Sequence, residues 1–450
     1  MNWERLLSNK RLGQEHQPHH ADDRTEFQRD YDRLIFSAPF RRLQNKTQVF
    51  PLPGSIFVHN RLTHSLEVSS VGRSLGNDVS RALLERHPEL EDTHFMELGS
   101  IVSAACLAHD LGNPPFGHSG EKAIGTYFSE GDGRFLKDYI CEETGDSLTE
   151  DQWNDLVCFE GNANAFRLLT HHFNGRRKGG FVMTYSTLAS IVKYPFSSNL
   201  SGGKRKFGFF QAEKDSYLRI ADELGIRRMD SPEGTLSFAR YPLVYLVEAA
   251  DDICYEIMDI EDAHKLKILT TDETKELLLS YFPEEQKLRI LQRMSTVDDS
   301  NEQIVYLRSC VINTLETECV KVFVQNEESI LAGEFKGSLI DYIDEIPRQA
   351  YQRCERLSYD RIYNSKDVVD IEIAGFKVIT TLLDLMVQAA IHPDRAFSQL
   401  LINRVSPQYD IKASTLYGRV MAVLDYISGM TDVYAMDMYR KINGMSIPTL

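Results

Sequence analysis

The chain has 450 residues, 42% of them hydrophobic, enough to bury a substantial core in one large domain or in two to three smaller ones. Fifty Lys and Arg against 66 Asp and Glu leave a formal net charge of −16, which excludes a generally basic, nucleic-acid-coating surface; a polyanionic ligand would need a local basic pocket. Seven scattered cysteines without a CxxC pair, a polar N-terminus and no run near the roughly 18 uninterrupted apolar residues of a span argue for a soluble cytoplasmic protein with no membrane partner.

Residues 1–30 are charged and irregular and read as a partly ordered arm leading into a helix over 31–42, on which Arg41 and Arg42 read as solvated or salt-bridged. Residues 50–57, with Pro51, Pro53 and Gly54, make a turn-rich connection. In RLTHSLEV, His64 keeps step with Val68, Val71 and Leu75, which predicts an amphipathic helix with the imidazole on its buried side. Arg61, one turn earlier, reads by itself as a surface ion pair.

The segment AHDLGNPPFGHSGE, residues 108–121, holds His109, Asp110, His118 and Glu121 on either side of a forced bend. Leu98, Ile101, Val102 and Ala105 step by three or four into His109, so its ring falls on the apolar face of a helix that Gly112, Pro114 and Pro115 end. Beyond the bend, His118 and Glu121 are three apart, close enough for the carboxylate to orient the imidazole.

Further on, Ser147 and Glu150 in SLTE form a capping-box pattern, and Asn162 in FEGNANAFRLL reads as a turn or cap residue beside a glycine. The run TYSTLASIVKYP predicts a short helix ended by Pro195, with Lys193 and Tyr194 at its terminus. Lys204, Arg205 and Lys206 in SSNLSGGKRKFG read as solvated and mobile. Asp251 borders the apolar stripe Leu243, Leu246, Val247, Ala250 and Cys254, and Asp251, Tyr255 and Asp259 recur at spacings of four on one helical face. From residue 271 onward the pattern is helical, with stripes such as Ile304, Leu307, Val311, Leu315 and Phe376, Ile379, Leu382, Met386.

A buried carboxylate needs a compensating partner, and one metal ion would compensate His64, His109, Asp110 and Asp251 together. The order His, His-Asp, Asp resembles the HD phosphohydrolase superfamily. The wider wording RLTHSLEV, AHDLGNPPFGHSGE and EAADDICYEIMD looks like its deoxyguanosine-triphosphate triphosphohydrolase branch, and the similarity runs from DDRTEFQRDYDRLIFSAPFRRLQNKTQVF to DYISGMTDVYA, most of the chain.

The resemblance implies an all-α fold: an HD helical core over 61–265, preceded by a sugar-contacting arm over 1–60 and followed by an accessory helical region over 266–450. It implies metal ligation by His64, His109, Asp110 and Asp251, a mixed nitrogen and oxygen set that fits five- or six-coordinate Mn²⁺ or Mg²⁺. His118, oriented by Glu121, becomes the general acid. Gln48 is implied at the 3′-hydroxyl, Val49 where a 2′-hydroxyl would crowd, and Arg61 and Lys193 at the triphosphate with Tyr194 beside them. Asn162 is implied at a phosphate or a metal water, Tyr255 under the sugar, Asp259 as a 3′-hydroxyl acceptor, Tyr363 and Lys366 as a base-and-phosphate pair, and Glu372 at guanine. The expected activity is hydrolysis of a deoxynucleoside triphosphate, dGTP first, to deoxynucleoside and inorganic triphosphate. Expected partners are that substrate, copies of the same chain up to a hexamer, and a regulatory deoxynucleotide or single-stranded DNA. The competing readings are an HD enzyme for another phosphoester, such as a cyclic nucleotide or alarmone, and a non-catalytic nucleotide sensor.

Overall fold

The computed structural model describes residues 1–14, 22–50, 58–91 and 93–446, and among them every regular element is helical, with β pairing confined to isolated bridges. The expected turn-rich connection lies outside the described residues from Pro51 to Phe57. The helices that place the site are α1 (Glu26–Ile35), α2 (Arg61–Leu84), α3 (Leu98–Ala108), α4 (Gly117–Ser129), α5 (Gly161–Thr170), α6 (Tyr185–Ile191), α7 (Val244–Lys265), α8 (Ser300–Gln325), α9 (Lys366–Ile391), α10 (Leu416–Ser428) and α11 (Asp432–Ile442).

Asn60 starts α2 through a reciprocal capping box with Thr63. Small residues then let α2 and α3 meet almost backbone to backbone. A Cβ on Gly76 would stand 2.7 Å from the Gly99 Cα, and one on Gly72 would meet the Cys106 sulfur at 2.5 Å. That close approach sets His64 and His109 opposite each other. Helix α7 packs across both, and α8 covers α2 and α7 with the stripe Ile304, Leu307, Val311 and Leu315, all buried. A second apolar cluster joins α4 and residues 148–163 to α9, α10 and α11. Helix α9 is long and apolar enough to cross a membrane by length and composition, but Ile379, Leu382 and Met386 are buried in this second cluster.

Three local expectations change. The first residues are not an irregular arm: Trp3, Leu6, Leu7 and Leu12 are buried, and the Trp3 indole donates to Glu327 at 2.7 Å and meets Phe95 edge-on at 5.2 Å. The helix expected over 31–42 is two, because α1 begins at the Thr25 cap and stops at Ile35, and Ser37 caps a new turn over Ala38–Arg42. Arg42 on that turn donates to the Gly429 carbonyl instead of facing solvent. The helix Glu150–Val157 caps on Thr149 with Gln152, two residues later than the Ser147 pattern suggested, since Thr149 has the extended backbone a cap requires.

Candidate metal centre and nucleotide cleft

Three helices deliver the imidazoles and carboxylates. The capped start of α2 fixes Arg61 and His64; His64 is 1% exposed and its Nε2 lies 3.0 Å from Asp251 Oδ1 on α7. His109 follows the last residue of α3 and donates from Nδ1 to the Cys106 carbonyl at 2.6 Å, which fixes the ring and leaves Nε2 facing the cavity. That Nε2 is buried and makes no hydrogen bond, although Asp251 Oδ1 is 3.4 Å away and Asp110 Oδ1 is 3.7 Å away. The rings of His64 and His109 stand 5.4 Å apart at 64°. One donor atom each from His64, His109 and Asp251 lies within 4.8 Å of the others. An orphaned buried nitrogen among nitrogen and oxygen donors fits a divalent cation. Asp110, the fourth expected ligand, stands at the edge of this cluster: its Oδ2 takes a 2.8 Å contact from Arg61, and its Oδ1 accepts from the Asn113 amide.

The charges agree with that fit. Burial would lower the pKa of His109, yet Asp110 and Asp251 outweigh it and raise it to about 9, so the field at this ring favours a cation. Asp251, despite burial, is held well below the usual carboxylate range by His109 and His64. Asp110 is likewise lowered, against its burial, by the Arg61 guanidinium.

The bend after Asp110 sets the second pair. Phe116 and Gly117 have φ of +63° and +56°, and a Cβ on Gly117 would meet Arg61 Nη2 at 2.5 Å, so glycine is required both by backbone and by the arginine that passes it. His118 then projects at the mouth of the cavity, with Nδ1 3.1 Å from Glu121 Oε2. The other Glu121 oxygen accepts the Gly161 N–H, the first of α5, at 2.7 Å. The hydrogen bond and charge of Glu121 raise the pKa of His118.

These groups open onto one cavity of about 430 Å³ that is also lined by Gln48, Asn162, Lys193, Tyr194, Tyr255 and Tyr363. Gln48 Oε1 is buried there without a partner. The rings of Tyr255 and Tyr363 are 6.1 Å apart, and Tyr363 donates to Asp259 behind it at 2.7 Å. Lys193 is paired with Glu248 at 3.2 Å. Four expected contacts are not brought to the lining: Val49 packs against the core, Asp259 stands behind Tyr363, Lys366 is exposed at the start of α9, and the exposed Glu372 uses its carbonyl to accept from Ser119.

Two groups escaped the sequence reading. Lys206 is not solvated: its Nζ pairs with Glu160 at 2.8 Å and faces the cavity. Glu160, 1% exposed, caps α5 by accepting from the N–H groups of Asn162 and Ala163. The signal for Glu160 was present in its place before Gly161 and Asn162; a lysine in a glycine-rich loop carried none.

The chain matches the HD domain family over residues 61–194 and the phosphohydrolase-associated domain over 344–441. It is 38% identical to a deoxyguanosinetriphosphate triphosphohydrolase-like protein of Synechocystis sp., over 99% of this chain and all of the relative. A protein of the same description from Pseudomonas aeruginosa is 37% identical over the whole of both chains. A deoxyguanosinetriphosphate triphosphohydrolase of Yersinia enterocolitica is 30% identical over 94% of this chain and 96% of the relative.

Proposed function

The chain belongs to the deoxyguanosinetriphosphate triphosphohydrolase-like family of HD-domain phosphohydrolases, and from that premise we propose that it hydrolyses a deoxynucleoside triphosphate, dGTP first, to the deoxynucleoside and inorganic triphosphate. One arrangement carries this reading: Gln48, Tyr255 and Tyr363 face the same cavity as the His64, His109 and Asp251 donors and the His118–Glu121 pair. A phosphoesterase acting on a substrate without a nucleoside would have no use for that wall.

His64, His109, Asp110 and Asp251 would hold the cation, and bound Mn²⁺ or Mg²⁺ supplies positive charge that polarises the α-phosphate and acidifies water. Arg61, Lys193 and Lys206 neutralise the polyphosphate, each paired with a carboxylate, Asp110, Glu248 (shared with Arg240) and Glu160. Tyr194 stands between the two lysines and Asn162 lines the cavity with them, while Lys366, which stands off the lining, would reach the polyphosphate only from outside. Tyr255 stacks under the sugar and Gln48 receives the 3′-hydroxyl, with Asp259 behind Tyr363 as the further acceptor once that ring moves aside. A water oxygen bonds to the α-phosphorus, the bond from phosphorus to the 5′ oxygen breaks, the His118 proton passes to that oxygen, and the water proton leaves to solvent. With seven unpaired cysteines, the protein works in a reducing compartment such as the cytoplasm. The same reading includes a homo-oligomer, up to a hexamer, regulated by a second deoxynucleotide or single-stranded DNA; light scattering with and without each regulator tests it.

The decisive experiment incubates the protein with each of the four deoxynucleoside triphosphates and Mn²⁺ and separates the products. Inorganic triphosphate and a deoxynucleoside are expected, most from dGTP, and chelation abolishes them. Pyrophosphate or a monophosphate in their place overturns the choice of bond.

A further inference from the structure

We propose that Lys46 and Asp432 are positioning residues that let the α10–α11 corner of the accessory region set the metal turn, the His118 turn and the Gln48 segment at once. The inference rests on the phosphohydrolase reading above, and its test includes binding measurements that do not need turnover.

Lys46 is 2% exposed, and its Nζ donates to two carbonyls, Asn113 at 2.5 Å and Ser428 at 2.9 Å. The first belongs to the turn after His109-Asp110; the second is the last residue of α10, whose end carbonyls have no partner within the helix. Asn113 in turn donates from its side chain to Asp110. One amino group therefore ties the end of an accessory helix to the residue that orients an expected metal ligand.

Asp432 makes the complementary tie from the first turn of α11. Its Oδ2 accepts the Thr47 N–H at 2.8 Å, and its Oδ1 accepts the Phe116 N–H at 2.9 Å. Thr47 is next to Gln48, and Phe116 is the left-handed residue two before His118. Gly375 of α9 lies against the Phe116 ring, where a Cβ would come within 2.6 Å, so the accessory helices hold this turn on two sides. Burying an amino group costs more than burying an apolar side chain of equal volume, even with Asp432 nearby to offset its charge, so Lys46 is poorly explained by stability alone.

The test compares Lys46→Met and Asp432→Asn with Asp437→Asn, a control on α11 whose partner is Lys441, away from the site. Circular dichroism and a thermal melt establish that each is folded. Mn²⁺ affinity, affinity for a non-hydrolysable deoxynucleoside triphosphate analogue, and kcat and KM are then measured separately. Lys46→Met is expected to weaken Mn²⁺ binding by about tenfold, the low end for groups that orient metal ligands. Asp432→Asn, which keeps the shape but offers one good acceptor in place of two, is expected to leave Mn²⁺ affinity within about threefold, weaken analogue binding, and lower kcat by at least about tenfold. Asp437→Asn matches the parent. The proposal is overturned if both folded variants match the parent in all these quantities, or if their losses only follow the fraction unfolded. A parent that binds Mn²⁺ and the analogue but does not turn over deoxynucleotides defeats the functional reading, while the binding arms still decide the clasp.

Discussion

His109 and His118 are nine residues apart, and their surroundings make them opposites. His109 is locked by a backbone carbonyl with its free nitrogen turned inward, whereas His118 is exposed and held by a carboxylate that keeps its proton. His109→Ala should lose both Mn²⁺ binding, read by calorimetry, and turnover. His118→Ala should keep Mn²⁺ binding and lower kcat by about 10²–10⁴-fold, the usual share of a general acid. An acid must be protonated to act, so the rate should fall as pH rises through the His118 pKa, which Glu121 raises above the ordinary imidazole value. Glu121→Gln removes the charge, and the fall in kcat/KM should begin at lower pH; an unmoved basic limb excludes His118 as the acid.

At the scale of the helix, the start of α2 is joined to the end of α7 by His59, whose ring contacts Asp262 at 2.9 Å and Glu67 at 3.3 Å. Burial lowers its pKa, but the two carboxylates dominate and raise it to about 10. Because the folded value exceeds the unfolded one of about 6.5, the contribution to stability is complete below pH 6.5 and is lost as pH rises toward 10. Lys46 titrates in the opposite sense. Its burial depresses it to about 7, so its contribution improves with pH over an overlapping window. The clean measurement is therefore the difference between parent and His59→Asn in urea, expected to be about 3 kcal/mol near pH 6 and to shrink steadily by pH 10. A gap that does not change with pH contradicts a charged His59 clamp.

For the whole molecule, a buried ion-pair network joins the two apolar clusters. Arg167 on α5 forms two 2.7 Å bonds to Asp425 on α10 and one of 2.6 Å to Glu213, all buried. Truncating the guanidinium strands two carboxylates out of water, so Arg167→Met should cost about 3–5 kcal/mol, seen as a lower urea midpoint. Arg167→Met together with Asp425→Leu and Glu213→Leu should recover most of that loss, since an apolar replacement leaves no buried charge.

The all-helical class, the stripe on α8, the bend at residues 109–117 and the His118–Glu121 pair were legible in the sequence because each depends on neighbours within a turn or two, where spacing dictates geometry. The motif order could also suggest that His64 and Asp251 belong together, but their 3.0 Å approach across 187 residues exists only through the glycine-mediated contact of α2 with α3 and the helix laid over them. Tertiary packing alone decided the rest: that Trp3 and Lys46 are buried, that Lys206 is held by Glu160, and that Val49, Asp259, Lys366 and Glu372 stand off the cavity. Whether a lysine is solvated or buried depends on what distant chain covers it, and local sequence carries no record of that neighbour.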